Sequence, residues 1–318
     1  MKAKSFILSL LLVVSAFLYG CNAEKNHEQT EKAKDVLTIY TTVYPLEDFT
    51  KKIGGDYVNV QSIYPPGVEA HTFEPTTKTM KQLADADAFI YIGQGMESFA
   101  DKIKETLKNE QVHFLAATEG IELLDSAHEE HAHEHEHEQE HEHHGDKDPH
   151  VWLDPSRSIA IAEHIRDLLI ELKPEKKETF TKNFEALKAK LEHLDQQFQT
   201  VVKSAPKKEI LVAHAAYGYW EDRYGIKQLS VSGLSPTNEP SQKELAEIVK
   251  TAKQHHIKYV IFEQNTTPKI TEIVKNEIGA DSLRLHNLES LTSEDKKANK
   301  DYFTLMEENI RVLQKALQ

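Results

Sequence analysis

Short runs of β-branched and aromatic residues alternate along this chain with longer segments in which apolar residues recur every three or four positions. This alternation is typical of parallel sheets whose strands are connected by helices. A first series predicts strands over residues 36–42, 57–64, 88–92 and 112–116. A second series predicts strands over residues 209–213, 227–232, 258–262 and 282–286. The sequence therefore predicts an α/β fold with two similar lobes, each a parallel sheet flanked by helices.

Helices are predicted in the gaps between these strands, including residues 46–53, 77–86 and 96–107 and a closing helix over 301–317. One further helix begins at Ser241, where Glu244 stands three residues later. This pair forms a capping box, in which each side chain satisfies the backbone N–H of the other residue.

A long segment without glycine separates the two series. Its apolar residues follow helical spacing, at Phe180, Phe184, Leu187, Leu191, Leu194 and Phe198. An unbroken helix from Pro174 to Ser204 would be roughly 45 Å long, enough to run the height of both lobes. A coiled-coil dimerisation helix is the alternative, but the drift of the spacing favours packing within the chain. We therefore predict a monomer with an amino-terminal lobe (36–173), a rigid linker helix (174–205) and a carboxyl-terminal lobe (206–318).

The first residues have the layout of an export signal. Lys2 and Lys4 precede an apolar run over residues 6–18, which is too short to cross a bilayer core of ~30 Å comfortably as a helix. We expect residues 1–20 to be removed as a signal peptide. Cys21 is the only cysteine, and after Leu-Tyr-Gly it resembles the lipidated cysteine of bacterial lipoproteins, the alternative being a free or dimer-forming thiol. The sequence thus predicts export, a lipid anchor on the outer face of the cell membrane, and a tether over residues 21–35.

The net charge of −14 comes mostly from one histidine- and glutamate-rich segment. Because the chain is acidic and this acidity is confined mostly to one segment, nucleic acid is not predicted as a partner. The segment lies in a loop over residues 126–147, expected to be disordered, since it has no large aliphatic residue to bury. We predict an accessory zinc collector whose ligands are His128, His131, His133, His135, His137, His141, His143 and His144. The alternative is a solvated charged loop without a role.

Four short segments carry candidate ligands near the carboxyl ends of predicted strands, where ligands of open α/β sheets collect. His71 and His150 fall in the first half of the chain, and His214 and Glu289 in the second. Any one of these histidines alone is more often structural than a ligand. Their joint placement predicts a single metal site in the cleft between the lobes.

The same segments resemble the metal-binding solute receptors of ABC importers, the cluster A-I family, and within it the zinc receptors. The resemblance rests on His-Thr-Phe-Glu-Pro at 71–75, Asp-Pro-His-Val-Trp-Leu-Asp-Pro at 148–155, His214 with its aromatic neighbours, and Leu-Glu-Ser-Leu-Thr at 288–292. It implies two lobes joined by a long helix, with metal held between them by residues matching the three histidines and one acidic residue. It also implies delivery of the ion to an ABC permease and its ATPase.

The type of metal follows from the donor atoms. Zn²⁺ takes nitrogen and oxygen ligands tetrahedrally, and imidazole suits it better than it suits Mn²⁺. Manganese receptors of the family carry a carboxylate where this chain has His214, so the resemblance favours zinc, with manganese or another divalent metal as the alternative. For the fourth ligand Glu289 is preferred, while Glu69 and Glu263 are rivals and water is possible. Glu263 is expected to support a ligand from behind.

An enzyme and a surface adhesin are the two other classes of function for such a chain. A three-histidine zinc site with an open fourth position could act as a hydrolase or hydratase. The sequence shows no His-Glu-x-x-His helix, no Gly-x-Ser-x-Gly elbow and no glycine-rich phosphate loop, so no enzyme is predicted. A zinc-dependent surface adhesin is the other alternative, because lipoproteins of this family have been described in that way.

Overall fold

The computed structural model describes residues 36–125 and 147–318. The predicted signal peptide, Cys21 and its tether lie outside the described residues, as do the histidines of the predicted zinc collector. No helix within the described ranges combines the length and apolar character needed to span a bilayer.

The amino-terminal lobe is built on a parallel sheet of four strands in the order β2-β1-β3-β4. The strands are β1 (Leu37–Thr41), β2 (Val58–Ser62), β3 (Ala88–Tyr91) and β4 (His113–Ala116). The helices between them are α1 (Tyr44–Gly54), α2 (Thr77–Ala84) and α3 (Ala100–Thr106). The order reverses between β1 and β3, which opens a crevice at the carboxyl ends of these two strands.

The carboxyl-terminal lobe repeats this topology with a second parallel sheet in the order β6-β5-β7-β8. The strands are β5 (Glu209–His214), β6 (Lys227–Ser232), β7 (Tyr259–Glu263) and β8 (Asp281–Leu285). Helices α4 and α5, which precede this lobe in the chain, are described in the next paragraph. The helices of the lobe itself are α6 (Gly218–Tyr224), α7 (Gln242–Gln254), α8 (Lys269–Ile278), α9 (Ser293–Lys297) and α10 (Tyr302–Ala316). The predicted α/β fold with two similar lobes is confirmed. The capping box of Ser241 and Glu244 at the start of α7 is also present.

Two long helices connect the lobes, α4 (Pro155–Leu172) and α5 (Lys177–Ser204), with a short 3₁₀ turn over Pro174–Lys176 between them. Helix α5 has 28 residues, and at 1.5 Å per residue it is about 42 Å long. Its predicted apolar residues, from Phe180 to Phe198, are all buried within the chain. The apolar face of α5 therefore packs within the chain.

One predicted helix begins later than its sequence pattern indicates. Helix α3 starts at Ala100 and not at residue 96, because the side chain of Glu97 turns inward. Its carboxylate accepts hydrogen bonds from the backbone N–H groups of Ile92 and Gly93, at 2.9 Å each, and from the hydroxyl of Thr42 at 2.6 Å. The residues that would have formed the first helical turn are used to close the end of β3.

The two lobes are tied together beside α4 by a buried ion cluster around Asp154. Asp154 caps α4 by accepting a hydrogen bond from the N–H of Ser156 at 2.8 Å. Its carboxylate also contacts Arg157 at 2.8 Å and Arg223 of α6 at 3.6 Å. Arg223 in turn binds Asp195 of α5 at 2.5 Å. Helices α4, α5 and α6 are therefore held at one point by charges of alternating sign.

Candidate metal centre

The structure brings the four predicted residues together between the lobes. His71 lies in the loop after β2, His150 in the segment that leads into α4, His214 at the last position of β5, and Glu289 four residues beyond β8. Each offers one ligand atom, and these atoms all lie within 4.8 Å of one another. Among the described residues no other group of three or more histidine, cysteine or acidic side chains meets in this way.

The three shortest separations between the ligand atoms have the size expected around a tetrahedral ion. Nε2 of His150 lies 3.3 Å from Nε2 of His71 and 3.3 Å from Nε2 of His214. Oε1 of Glu289 lies 3.3, 3.7 and 4.0 Å from Nε2 of His71, His150 and His214. Two atoms that each lie about 2.0–2.1 Å from a tetrahedral zinc ion are roughly 3.3–3.4 Å apart. The cluster therefore fits a small four-coordinate cation with little rearrangement.

Burial divides the four residues unequally. His150 is fully buried, and His214 and Glu289 expose 1% and 3% of their surfaces. The side chain of His71 is 10% exposed, so solvent reaches the cluster on the side of this histidine. A cluster with three buried members and one at the edge is suited to holding an ion away from water.

His150 is oriented by an acidic residue two positions before it. Nδ1 of His150 lies 2.8 Å from Oδ1 of Asp148, which also accepts a hydrogen bond from the backbone N–H of His150 at 2.9 Å. In the neutral ring this contact places the proton on Nδ1, so Nε2 is the nitrogen that can bind a metal once its own proton is lost. The other carboxylate oxygen faces Gly218, where an added Cβ would lie only 2.6 Å from it. Position 218 must therefore lack a side chain for Asp148 to take this place.

His214 is oriented in the same way by Glu263, whose Oε1 contacts Nδ1 of His214. The contact follows from the sheet, because β5 and β7 are neighbours and each of the two residues is the last in its strand. The second carboxylate oxygen of Glu263 accepts a hydrogen bond from Nδ2 of Asn287 at 3.3 Å. Glu263 therefore contacts His214 from behind, on the ring nitrogen away from the cluster, and its role in supporting a metal ligand stays a prediction.

Glu289 is presented by a short, tightly held loop after β8. Leu288 has a φ of +61°, a conformation that residues with a side chain seldom adopt. The side chain of Asn309 clamps His286, accepting its N–H and donating to its carbonyl, both at 2.8 Å. The imidazole of His286 accepts the N–H of Leu288 at 2.9 Å. These contacts hold the backbone turn that points Glu289 at the histidines.

The segment that carries His150 is held mainly by side chains of the carboxyl-terminal lobe. Tyr219 and Trp220 donate to the carbonyls of Asp148 and Leu153, both at 2.7 Å. Tyr302 donates to the carbonyl of Trp152 at 2.8 Å, and the indole of Trp152 donates to Asn287 at 2.8 Å. His150, His214 and Glu289 are thus all held by the carboxyl-terminal lobe. Only His71 is carried by a loop of the amino-terminal lobe.

Glu69, the other alternative for the fourth ligand, is hydrogen-bonded within its own loop. Oε1 of Glu69 accepts the backbone N–H of His71 at 3.0 Å, and Oε2 accepts the hydroxyl of Thr72 at 2.8 Å. Glu69 therefore shapes the loop of His71 and does not join the cluster. Asp148 was missed by the sequence analysis, although its position two residues before a histidine was visible.

Two pKa values are displaced at the cluster. Burial lowers the pKa of His150, but hydrogen bonds to Asp148 and Glu289 outweigh it and raise the pKa to about 9. Burial raises the pKa of Glu289, but hydrogen bonds from His150 and His71 outweigh it and hold that pKa well below its usual range. The carboxylate is thus ready to bind a cation, whereas His150 holds a proton at neutral pH.

Comparisons with known proteins identify relatives that are named as zinc-binding or zinc-uptake proteins. A family model for the periplasmic component A of a zinc-uptake complex matches residues 39–316. The zinc-binding lipoprotein AdcA of Streptococcus pneumoniae is 39% identical over 316 residues, which are 98% of this chain and 60% of that protein. The high-affinity zinc uptake system protein ZnuA of Bacillus subtilis is 36% identical over 310 residues, 97% of each chain. The chain thus spans about 60% of the length of the AdcA proteins and nearly all of ZnuA.

Among solved structures, the Zn(II)-bound ZnuA-like domain of Streptococcus pneumoniae AdcA is similar in fold, with a TM-score of 0.74 and 38% identity. The match covers 89% of this chain and 99% of that domain. The part of AdcA that this chain resembles is therefore its zinc-bound ZnuA-like domain.

Proposed function

Because the chain belongs to the family of periplasmic zinc-uptake component A proteins, we propose that it is an extracytoplasmic receptor that captures one Zn²⁺ ion between its lobes and delivers it to an ABC importer. The observation that carries this proposal is the spacing of the four ligand atoms, since the shortest separations are those of a tetrahedral zinc shell. His71, His150, His214 and Glu289 are the proposed ligands.

The donor set separates zinc from the alternatives. Three imidazoles and one carboxylate favour zinc over manganese, which prefers more oxygen ligands. With Glu289 in the fourth position, no site is left for an activated water, so binding is favoured over catalysis. Surface adhesion is favoured by no feature of the described residues.

Location and partners are proposed on the same basis. A periplasmic family and a relative named a lipoprotein support an exported protein with a lipid anchor at Cys21. The proposed partners are an ABC permease and its ATPase, with the receptor acting as a monomer. The histidine-rich segment stays a predicted accessory collector, since its histidines lie outside the described residues.

The proposal is tested by titrating the purified full chain with zinc against a competing chelator. We expect one tight ion per chain, together with radioactive zinc uptake that falls when cells lack the protein and returns when it is supplied. A chain that binds no zinc more tightly than the chelator, or cells that take up zinc equally without it, would contradict the proposal.

Zinc affinity should fall as the solution becomes more acidic. With a pKa of about 9, His150 carries a proton at neutral pH that the incoming ion must displace. The apparent affinity should therefore drop on the order of tenfold per pH unit between pH 8 and pH 6. Competition titrations at pH 6, 7 and 8, corrected for the pH dependence of the chelator's own zinc affinity, measure this slope. A zinc affinity that does not change between pH 6 and pH 8 would contradict the protonated state of His150.

Replacing Asp148 by alanine should weaken zinc binding, because His150 loses the contact that fixes its ring. Removing such a supporting carboxylate typically costs about 10- to 100-fold in metal affinity. Gly218→Ala should act in the same direction, since its Cβ would displace the Asp148 carboxylate. Asp125→Ala is the matched control, an exposed carboxylate that pairs with Lys147 near the same segment. Equal affinities for Asp148→Ala and Asp125→Ala would show that the brace is dispensable.

A further inference from the structure

The loop that carries His71 is fastened to the opposite lobe by a small set of hydrogen bonds. The N–H of Gly67 donates to the carbonyl of Leu291 at 2.9 Å, and the hydroxyl of Ser290 donates to the carbonyl of Val68 at 3.0 Å. Nδ2 of Asn265 donates to the hydroxyl of Ser290 at 3.3 Å. We call these five residues the latch. With φ at +75°, Gly67 takes a left-handed conformation, and an added Cβ there would lie 3.8 Å from Asn265.

The latch joins the segments of two proposed zinc ligands. Ser290 and Leu291 directly follow Glu289, while Val68 stands three residues before His71. The carbonyl of Glu289 also accepts the N–H of Tyr44 from the amino-terminal lobe at 3.0 Å. The loops of Glu289 and His71 are therefore joined directly by hydrogen bonds.

His71 depends on this fastening more than the other histidines do. His150 and His214 are braced at Nδ1 by Asp148 and Glu263. No described residue forms such a contact with Nδ1 of His71. Among the residues that the structure describes, its ring contacts only the other proposed ligands, at Nε2, and therefore depends on the position of its loop. Glu69 shapes that loop from within, and the latch fastens it across the cleft.

The hydrogen bonds of the latch can break while the apolar contacts that Val68 and Leu291 make with the hydrophobic core are kept. It borders a cavity of about 590 Å³ between the lobes, whose walls include Tyr64, Pro66, Ser290 and Leu291. Water from this cavity can replace the hydrogen bonds of the latch when the loop leaves, so opening exposes no unsatisfied backbone group.

From these contacts we infer that Ser290 is a positioning residue for His71, which sets the rate at which bound zinc leaves the site. This inference rests on the proposed zinc function. When the latch is closed, His71 completes the tetrahedron. When it opens, His71 withdraws and the ion is held by the three braced ligands alone. The hydroxyl of Ser290 therefore retains zinc without touching it.

The experiment compares the zinc-loaded full chain with its Ser290→Ala variant by mixing each with excess chelator and following zinc release by stopped flow. Loss of one net hydrogen bond predicts release about five-fold faster. The association rate should stay within about two-fold, because capture begins at the three braced ligands. Ser290→Thr keeps the hydroxyl and should restore slow release. Ser235→Ala is the matched control, since its hydroxyl binds only Thr237 within its own turn.

Release from Ser290→Ala at the rate of the unmodified chain would overturn the inference. So would an equal acceleration in Ser235→Ala, or an acceleration that Ser290→Thr does not reverse, since either would indicate general loosening. Failure of the proposed function is seen separately. In that case the unmodified chain itself does not bind zinc tightly, a result that does not depend on how the variants differ in release rate.

Discussion

His214→Ala is expected to weaken zinc binding by roughly a hundred- to a thousand-fold. Protein zinc sites contribute apparent binding free energies of about 10–16 kcal/mol, which four ligands share. One ligand therefore accounts for about 2.5–4 kcal/mol, where each 1.4 kcal/mol is about tenfold in affinity. The loss should be near the upper end, because removing this buried ring also leaves Glu263 without the imidazole that it faces. Competition titration with a chelator of known affinity measures the change.

The matched control for this variant is His193→Ala, which removes an exposed histidine of α5 that does not belong to the cluster. Its affinity should equal that of the unmodified chain. If His214→Ala still bound one ion as tightly as His193→Ala does, the tight site would have to lie elsewhere, and the histidine-rich segment would be the first place to look.

The second large effect is expected on stability, at the ion cluster that joins α4, α5 and α6. Asp154→Ala should lower the free energy of unfolding by about 3 kcal/mol, since α4 loses its cap and Arg157 and Arg223 lose a buried partner. The value is moderated because both arginines keep another carboxylate, Asp222 for Arg157 and Asp195 for Arg223. Urea unfolding in the presence of a chelator measures it without a contribution from metal.

Two further variants separate the causes of this effect. Asp154→Asn keeps an oxygen for the N–H of Ser156 and removes the charge, so it should lose less than alanine does. Asp222→Ala removes the exposed partner of Arg157 and should change the free energy of unfolding by less than about 1 kcal/mol. If Asp154→Ala unfolded at the same urea concentration as Asp222→Ala, the buried cluster would not fasten the lobes.

Much of the fold could be predicted because apolar residues recur along each strand and helix with the period of that element. The strands lie within two residues of their predicted bounds, and helix α5 follows its apolar spacing. Helix α3 was predicted four residues too early, because Glu97 looks like a helical residue in sequence. Only the folded chain shows that its carboxylate is needed by the backbone of Ile92 and Gly93.

The site could be predicted as far as its residue types, and less well in its roles. Glu263 ends a strand and Glu289 follows a strand of the same sheet, so strand position alone did not separate them, and Glu289 was preferred because it matches the acidic position of the zinc receptors. The decision lies in the left-handed turn at Leu288 and in the position of Glu263 beside His214. Asp148 escaped notice because its role depends on Gly218, seventy positions away along the chain. That the four residues ligate zinc stays a prediction.

The four clustered residues are far apart in sequence, from His71 to Glu289, and they meet only where the two sheets face each other. Closing loops of such length is entropically unfavourable in an unfolded chain, so the complete set of ligands meets only when both lobes have folded. If the cluster holds zinc as proposed, the ion is acquired as the last step of folding. If the chain is also exported as proposed, a newly made molecule crosses the membrane without zinc, and a bound ion shows that both lobes have folded on the outer side.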